Sequence, residues 1–179
     1  MKLVIILNVN PEKNNNTKIS NNREFTRREL KKLLSDGFSG FIDNIIFYDN
    51  FEQFKENVSY HLDDFVLNFD FGFKSRIRNM KVPAFCENYN IKYFNPDPYV
   101  QVICQDKYIT KKFAENFEIK TPKSLLVFSH SYNRELLNKF NYPIIIKPNY
   151  ESESIGITQN SIVSNIAQAD QPVSYTHLR

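Results

Sequence analysis

Leu3-Val4-Ile5-Ile6-Leu7 is an uninterrupted apolar run. Short and without polar alternation, it suits a strand covered on both faces, as inside a parallel sheet. It is too short to cross a membrane, Asn8 interrupts it, and no small-residue cleavage site follows. Segments of similar character recur at Ile42–Tyr48, Phe65–Asn68 and Ile91–Phe94. Between them the pattern turns helical, over about 23–35, 50–58 and 76–88. Asn22 is placed to cap the first helix, with Phe25, Leu30, Leu33 and Leu34 as its buried stripe and Gly37 beyond its end. The third carries Ile77, Val82, Phe85 and Cys86. Strands alternating with helices predict an α/β unit built on an open parallel sheet. Ligands of such sheets bind beyond the carboxyl ends of the strands, which places the loops at 8–22 and 69–75 on the binding side.

Asn95-Pro96-Asp97-Pro98 is a breaker cluster and reads as a domain boundary. Beyond it the pattern predicts a helix over about 106–117, a strand at Ser124–Phe128, a helix over 131–140 and a strand at Ile144–Lys147. A hairpin-like return follows through Ile155–Thr158 and Ser161–Val163. This second unit is α+β and cut short. A length of 179 residues suits one domain, or one domain plus a piece of another, and 41% hydrophobic residues can fill the core. The net charge is only +3, and no cluster of five Lys/Arg occurs. Arg23, Arg27, Arg28, Lys31 and Lys32 share a helix with Glu24 and Glu29, which reads as a solvated face and not a nucleic-acid surface. Two cysteines, Cys86 and Cys104, are too few for a disulfide framework. Together these features predict a cytoplasmic protein with neither membrane nor nucleic acid as a partner.

The chemistry concentrates in Tyr142-Pro143-Ile144-Ile145-Ile146-Lys147-Pro148-Asn149-Tyr150-Glu151-Ser152-Glu153-Ser154-Ile155-Gly156-Ile157. An apolar strand delivers Lys147 at its end, where a compact positive charge on a rigid element suits a phosphate. The polar loop that follows supplies hydroxyls and backbone amides able to close over phosphates. Upstream, Asp106 is placed to cap a helix whose first residue is Lys107; helix-start amides and a first-turn lysine favour anions. Taken singly, each lysine is more readily a solvent-facing side chain, and the loop is as readily an ordinary polar turn. His61 and His130 have no partners at metal-ligand spacing, neither cysteine resembles a placed nucleophile, and no Gly-x-Gly-x-x-Gly or Walker-type loop occurs.

Order and spacing join these signals. VPAFCENYNIKYFNPDPYVQVICQDKYITKKFAENFEIKTPKSLLVF, followed by YPIIIKPNYESESIGI, is similar to the ATP-grasp superfamily, in its D-alanine–D-alanine ligase-like branch. The shared succession is an alanine-containing helix ending in Glu, an I-x-Y strand, an Asp-Lys helix, a Thr-Pro turn and a strand ending in Lys-Pro. The resemblance covers residues 82–163 in detail. It implies a pre-ATP-grasp domain over 1–96 and the start of an ATP-grasp domain over 97–171. It further implies ATP phosphate contacts from Lys107 and Lys147, an acidic loop opener in Glu151, a γ-phosphate-covering hydroxyl in Ser154, and a turn permitted by Gly156. The implied reaction forms a C–N bond: a carboxylate takes the γ-phosphoryl group, and an amine captures the acyl phosphate. Magnesium belongs to that chemistry, with ligands expected from a later C-terminal portion. The partners implied are ATP and a small amino-acid or peptide substrate; homodimerisation is left open.

This chain has Ser152-Glu153 where the family usually has Gly-Ser. The serine–glutamate pair that holds the first D-alanine in these ligases finds no counterpart, since Ser20, Arg23 and Glu24 do not fit its spacing. The tail Pro172-Val173-Ser174-Tyr175-Thr176-His177-Leu178-Arg179 back-translates to a transposon-end adapter, so native sequence is expected to end near Gln171. The expectation is thus the N-terminal fragment of a ligase, inactive as it stands. A non-catalytic nucleotide- or metabolite-binding module is the alternative. A flavodoxin- or response-regulator-like domain ranks below both, because Asn8-Val9-Asn10 offers no acidic pocket.

Overall fold

The computed structural model describes residues 1–7, 27–70, 75–128, 133–151 and 154–169. The chain divides into two compact units, Met1–Val102 and Ile103–Arg179.

The first unit is an open parallel sheet of β1 (Leu3–Ile6), β2 (Ile45–Tyr48), β3 (Phe65–Asn68) and β4 (Lys92–Tyr93), in the order β2-β1-β3-β4. β1 is central, pairing with residues 45–48 on one side and 65–68 on the other. Its side chains alternate between two cores. Val4 and Ile6 pack with Phe54 of α2 (Phe51–Glu56), Val82 and Cys86 of α3 (Lys81–Asn88), Val66 of β3 and Ile91 just before β4. Leu3, Ile5 and Leu7 pack with Leu30, Leu34 and Phe38 of α1 (Arg27–Phe38). Helices on both faces explain why the run carries no polar alternation.

Several expectations need correcting. The buried stripe of α1 follows residues 30, 34 and 38 at one-turn spacing, leaving Leu33 52% exposed. α1 also continues through Gly37 to Phe38 and does not stop before the glycine. Ile77 precedes the short 3-10 turn Arg78–Met80 and is exposed, whereas Val82, Phe85 and Cys86 do pack inward. β2 starts at Ile45 and β4 keeps two residues, so the edge strands are shorter than their apolar runs. Lys31 is drawn from the basic face to Asp49, 3.3 Å away. The expected cap Asn22, Phe25, the loop 8–22, the tip Phe71-Gly72 and His130 lie outside the described residues.

His61 is buried, stacked on Phe54 and edge-on to Tyr48. Its Nδ1 lies 2.9 Å from Asp64 Oδ2, its Nε2 lies 2.7 Å from the Tyr48 hydroxyl, and the Lys2 amide donates to Asp64 Oδ1 at 2.6 Å. It is a core histidine with both nitrogens satisfied. Burial pushes the Cys86 thiol up to about 12, which leaves it a packing residue. At the carboxyl end of β3 the Asn95 amide accepts from Asn68 N at 2.9 Å and donates to Asn68 O at 3.2 Å, and Asp70 accepts from Phe51 N at 2.9 Å.

The breaker cluster at 95–98 opens a helix that the sequence reading missed, α4 (Pro98–Gln105). Asp97 Oδ1 accepts from Val100 N at 2.9 Å, and Pro98 stands at the first helical position, where its missing N–H costs nothing. The division between the units falls inside α4.

In the second unit α5 (Lys107–Asn116) forms as expected, with Asp106 as its N-cap. β5 (Ile144–Ile145) and β6 (Ile162–Val163) form a two-stranded antiparallel ladder, extended by Ile146 N donating to Ser161 O at 2.8 Å. Ile144, Ile146 and Val163 pack with Leu125, Leu137, Ile166 and Ala169, and Ile145 and Ile162 face outward. Residues 124–128 join neither ladder, so the expected strand there is absent. The expected helix over 131–140 is a 3-10 segment at Arg134–Lys139, and the expected return at 155–158 forms no strand, beginning in a turn over 154–156. Among the described residues no helix is long and apolar enough to cross a membrane.

Candidate functional site

The site assembles where the start of α5 meets the loop after β5, all within the second unit. Asp106 Oδ1 accepts from Tyr108 N and Ile109 N, both at 3.0 Å. Asn149 reaches the same turn from the other side: its Nδ2 donates to Asp106 Oδ1 at 2.7 Å, and its Oδ1 accepts from Tyr108 N at 3.0 Å. Lys107 N donates to Asn149 O at 3.3 Å. The first amides of α5 are therefore taken by protein groups. The expectation that this helix start receives an anion is corrected, because a capping carboxylate and an asparagine already occupy it.

Lys107 is not a free charge. Its ammonium donates to Pro148 O at 3.0 Å, to Asn149 O at 3.1 Å and to Glu151 O. An ammonium has three donors, and this loop backbone engages all of them. The buried Gln105 side chain donates to Tyr150 O, so every carbonyl from Pro148 to Glu151 is held from the α4–α5 junction.

Lys147 behaves differently. Ile144 and Ile146 turn into the core, and the period of two sends Lys147 outward with Ile145. Among the described residues nothing accepts a hydrogen bond from its ammonium. One turn beyond Lys107, Lys111 donates to Pro122 O at 3.0 Å. Burial holds the Lys111 ammonium below the usual lysine range, the charge of Lys147 pushes the same way, and Glu115 opposes both.

The loop then folds back on the strand end. Ile157 N donates to Ser154 O at 3.0 Å, closing a turn in which Gly156 sits at φ 76°. A Cβ at Gly156 would lie 2.7 Å from Pro148 Cγ, so both conformation and space require glycine here. Ser154 itself holds φ 59° and is exposed. Ser152 and Glu153 lie outside the described residues. The structure thus brings Lys107, Lys147, Glu151, Ser154 and Gly156 around one strand end. Sequence reasoning missed Asn149, Gln105 and Lys111; the four-residue spacing of Lys107 and Lys111 was the available signal for the last.

No family model matches the chain. In sequence it is 29% identical over 85 residues to a D-alanine–D-alanine ligase of Clostridium acetobutylicum, covering 44% of this chain and 25% of the ligase. It is 33% identical over 78 residues to the Helicobacter pylori D-alanine–D-alanine ligase, covering 43% and 22%. An alpha-aminoadipate–LysW ligase of Sulfurisphaera tokodaii matches at 32% over 74 residues, covering 41% and 26%. In structure, the D-alanine–D-alanine ligase of Bacillus anthracis superposes with a TM-score of 0.65 at 18% identity, covering 98% of this chain and 54% of that one. The same enzyme complexed with ATP gives 0.65 at 17%, covering 99% and 55%. The fold is that of the ATP-grasp ligases. Within that class, the relatives in both sequence and structure include D-alanine–D-alanine ligases. The chain spans about a quarter of the length of the curated relatives it matches, and just over half of the solved ones.

Proposed function

We propose that this chain carries the nucleotide-binding part of an ATP-dependent ligase that joins a carboxylate to an amine, of the D-alanine–D-alanine ligase type. The observation that carries this reading is the clasp between α5 and residues 148–151, which sets a lysine-ended strand and a serine–glycine loop side by side within one unit. The sequence relatives, which include D-alanine–D-alanine ligases and an alpha-aminoadipate–LysW ligase, support it. ATP supplies the phosphoryl group that activates the carboxylate. Lys147, outward and without a hydrogen-bond acceptor among the described residues, neutralises phosphate charge. Ser154 offers its hydroxyl from a loop that Gly156 allows to seat on Pro148. Lys107 and Glu151 hold that loop through the Glu151 carbonyl, and Lys107 reaches phosphate only by exchanging one of its three carbonyls for it. The described residues contain no group of three or more His, Cys, Asp or Glu suited to a metal ion, so no step is assigned to magnesium here.

In this reading residues 1–96 are the pre-ATP-grasp domain and 97–171 the first part of the ATP-grasp domain, the protein works in the cytoplasm, and a small amino acid or peptide is its substrate. The chain alone, spanning just over half of a solved ligase, is expected to bind ATP without releasing phosphate when D-alanine is supplied. Calorimetric titration with ATP tests the core of the proposal. Lys147→Gln should weaken binding about tenfold, as expected for one charged hydrogen bond. Failure of the unmodified chain to bind ATP would sink the nucleotide reading.

A further inference from the structure

We propose that Lys111 is a second cation of the polyphosphate site, acting with Lys147. This rests on the nucleotide reading above and adds a binding residue to it. Residues four apart on a helix share a face, so Lys107 and Lys111 both look toward the strand-end side of α5. Lys107 fixes the alignment there, because its ammonium lies on Pro148 O, next in sequence to Lys147. One turn on, Lys111 donates to Pro122 O, and among the described residues nothing engages its other two donors. Its neighbours on α5 point to other tasks. Lys112 pairs with Glu115 at 2.8 Å, and Glu115 also accepts from the Thr121 hydroxyl at 3.3 Å.

Burial and the charge of Lys147 both weaken the Lys111 ammonium, Glu115 opposes them only in part, and an anion between the two lysines would relieve the rest. A polyphosphate chain presents oxygens to both, and leaves the Lys107 clasp intact. The ligand class is therefore the polyphosphate moiety of a nucleoside triphosphate, with the cations at Lys111 and Lys147 reading its charge.

The test compares three probes by calorimetry on the full chain: ATP, inorganic tripolyphosphate and adenosine. Lys111→Gln should weaken ATP and tripolyphosphate about tenfold and leave adenosine unchanged. Lys111→Arg, which keeps charge and donors, should retain most of the affinity. Unchanged tripolyphosphate affinity in Lys111→Gln, with affinity lost in Lys147→Gln, overturns the proposal and leaves the nucleotide reading standing. Equal losses for adenosine and tripolyphosphate also overturn it, since Lys111 would then act only by tying α5 to Pro122. If the unmodified chain binds neither ATP nor tripolyphosphate, the nucleotide reading itself falls. Should Lys111→Gln fail to fold, NMR of the lysine side chains in the unmodified chain decides. Tripolyphosphate must then shift the Lys111 and Lys147 signals together, and a stationary Lys111 signal overturns the assignment.

Discussion

Asn149 makes four hydrogen bonds across the clasp: one donated to Asp106, one accepted by its side chain from Tyr108 N, and two accepted by its carbonyl from Lys107. Residues this engaged hold a loop more firmly than the charged groups that draw notice in a sequence. Gly156 is the second such position. Gly156→Ala combines a positive φ with a 2.7 Å approach to the Pro148 ring, which has no flexible end to move aside. It should cost about 1–3 kcal/mol in urea denaturation. Asp64 makes a pH prediction. Burial raises its carboxyl, but the hydrogen bonds and charges of His61 and Lys2 outweigh this and hold it below the ordinary 3.8. A depressed carboxylate stabilises fully above that ordinary value, and the contribution is lost as pH falls through the lower folded value. Stability should therefore drop in the acid limb below pH 3.8, and Asp64→Asn should flatten that limb in denaturation measured across pH.

At the scale of elements, α3 and α5 end in the same way with different chemistry. After α3, Ile91 N donates to Cys86 O at 2.8 Å and Asn90 N to Glu87 O at 3.1 Å, with Asn90 at φ 55°. After α5, Ile119 N donates to Ala114 O at 3.1 Å and Glu118 N to Glu115 O at 3.0 Å, with Glu118 at φ 60°. Both are Schellman endings, whose left-handed position favours Gly or Asn. Glutamate has no such preference. Glu118→Gly should raise stability by about 0.5–1 kcal/mol, read from thermal or urea unfolding, because the relieved left-handed strain exceeds the added chain entropy. Element by element, the strands of the first unit were legible because an apolar run is a local property. α4 was not, because Asp97-Pro98 reads equally as a break and as a helix start until the amide of Val100 is seen to close on Asp97. Ser124–Phe128 carries strand propensity, yet ladder hydrogen bonds need a neighbour that propensity cannot supply.

At the scale of the whole molecule, β1 organises the first unit because both of its edges are paired and both faces covered. Ile5→Ala removes a fully buried side chain from the α1 face and should cost about 2–5 kcal/mol in unfolding free energy. The strands of the first unit, its open parallel sheet and the capped start of α5 follow from the chain alone, because hydrophobic period and helix capping act over a few residues. Only the tertiary structure decided what each charge does. Lys107 meets its three carbonyls across 41 to 44 residues of sequence, a clasp that no short motif announces. Lys111 finds Pro122 O, 11 residues further on, in the same way. Electrostatic partners are chosen by distance in space, and no local pattern in the sequence encodes a distance between residues so far apart along it.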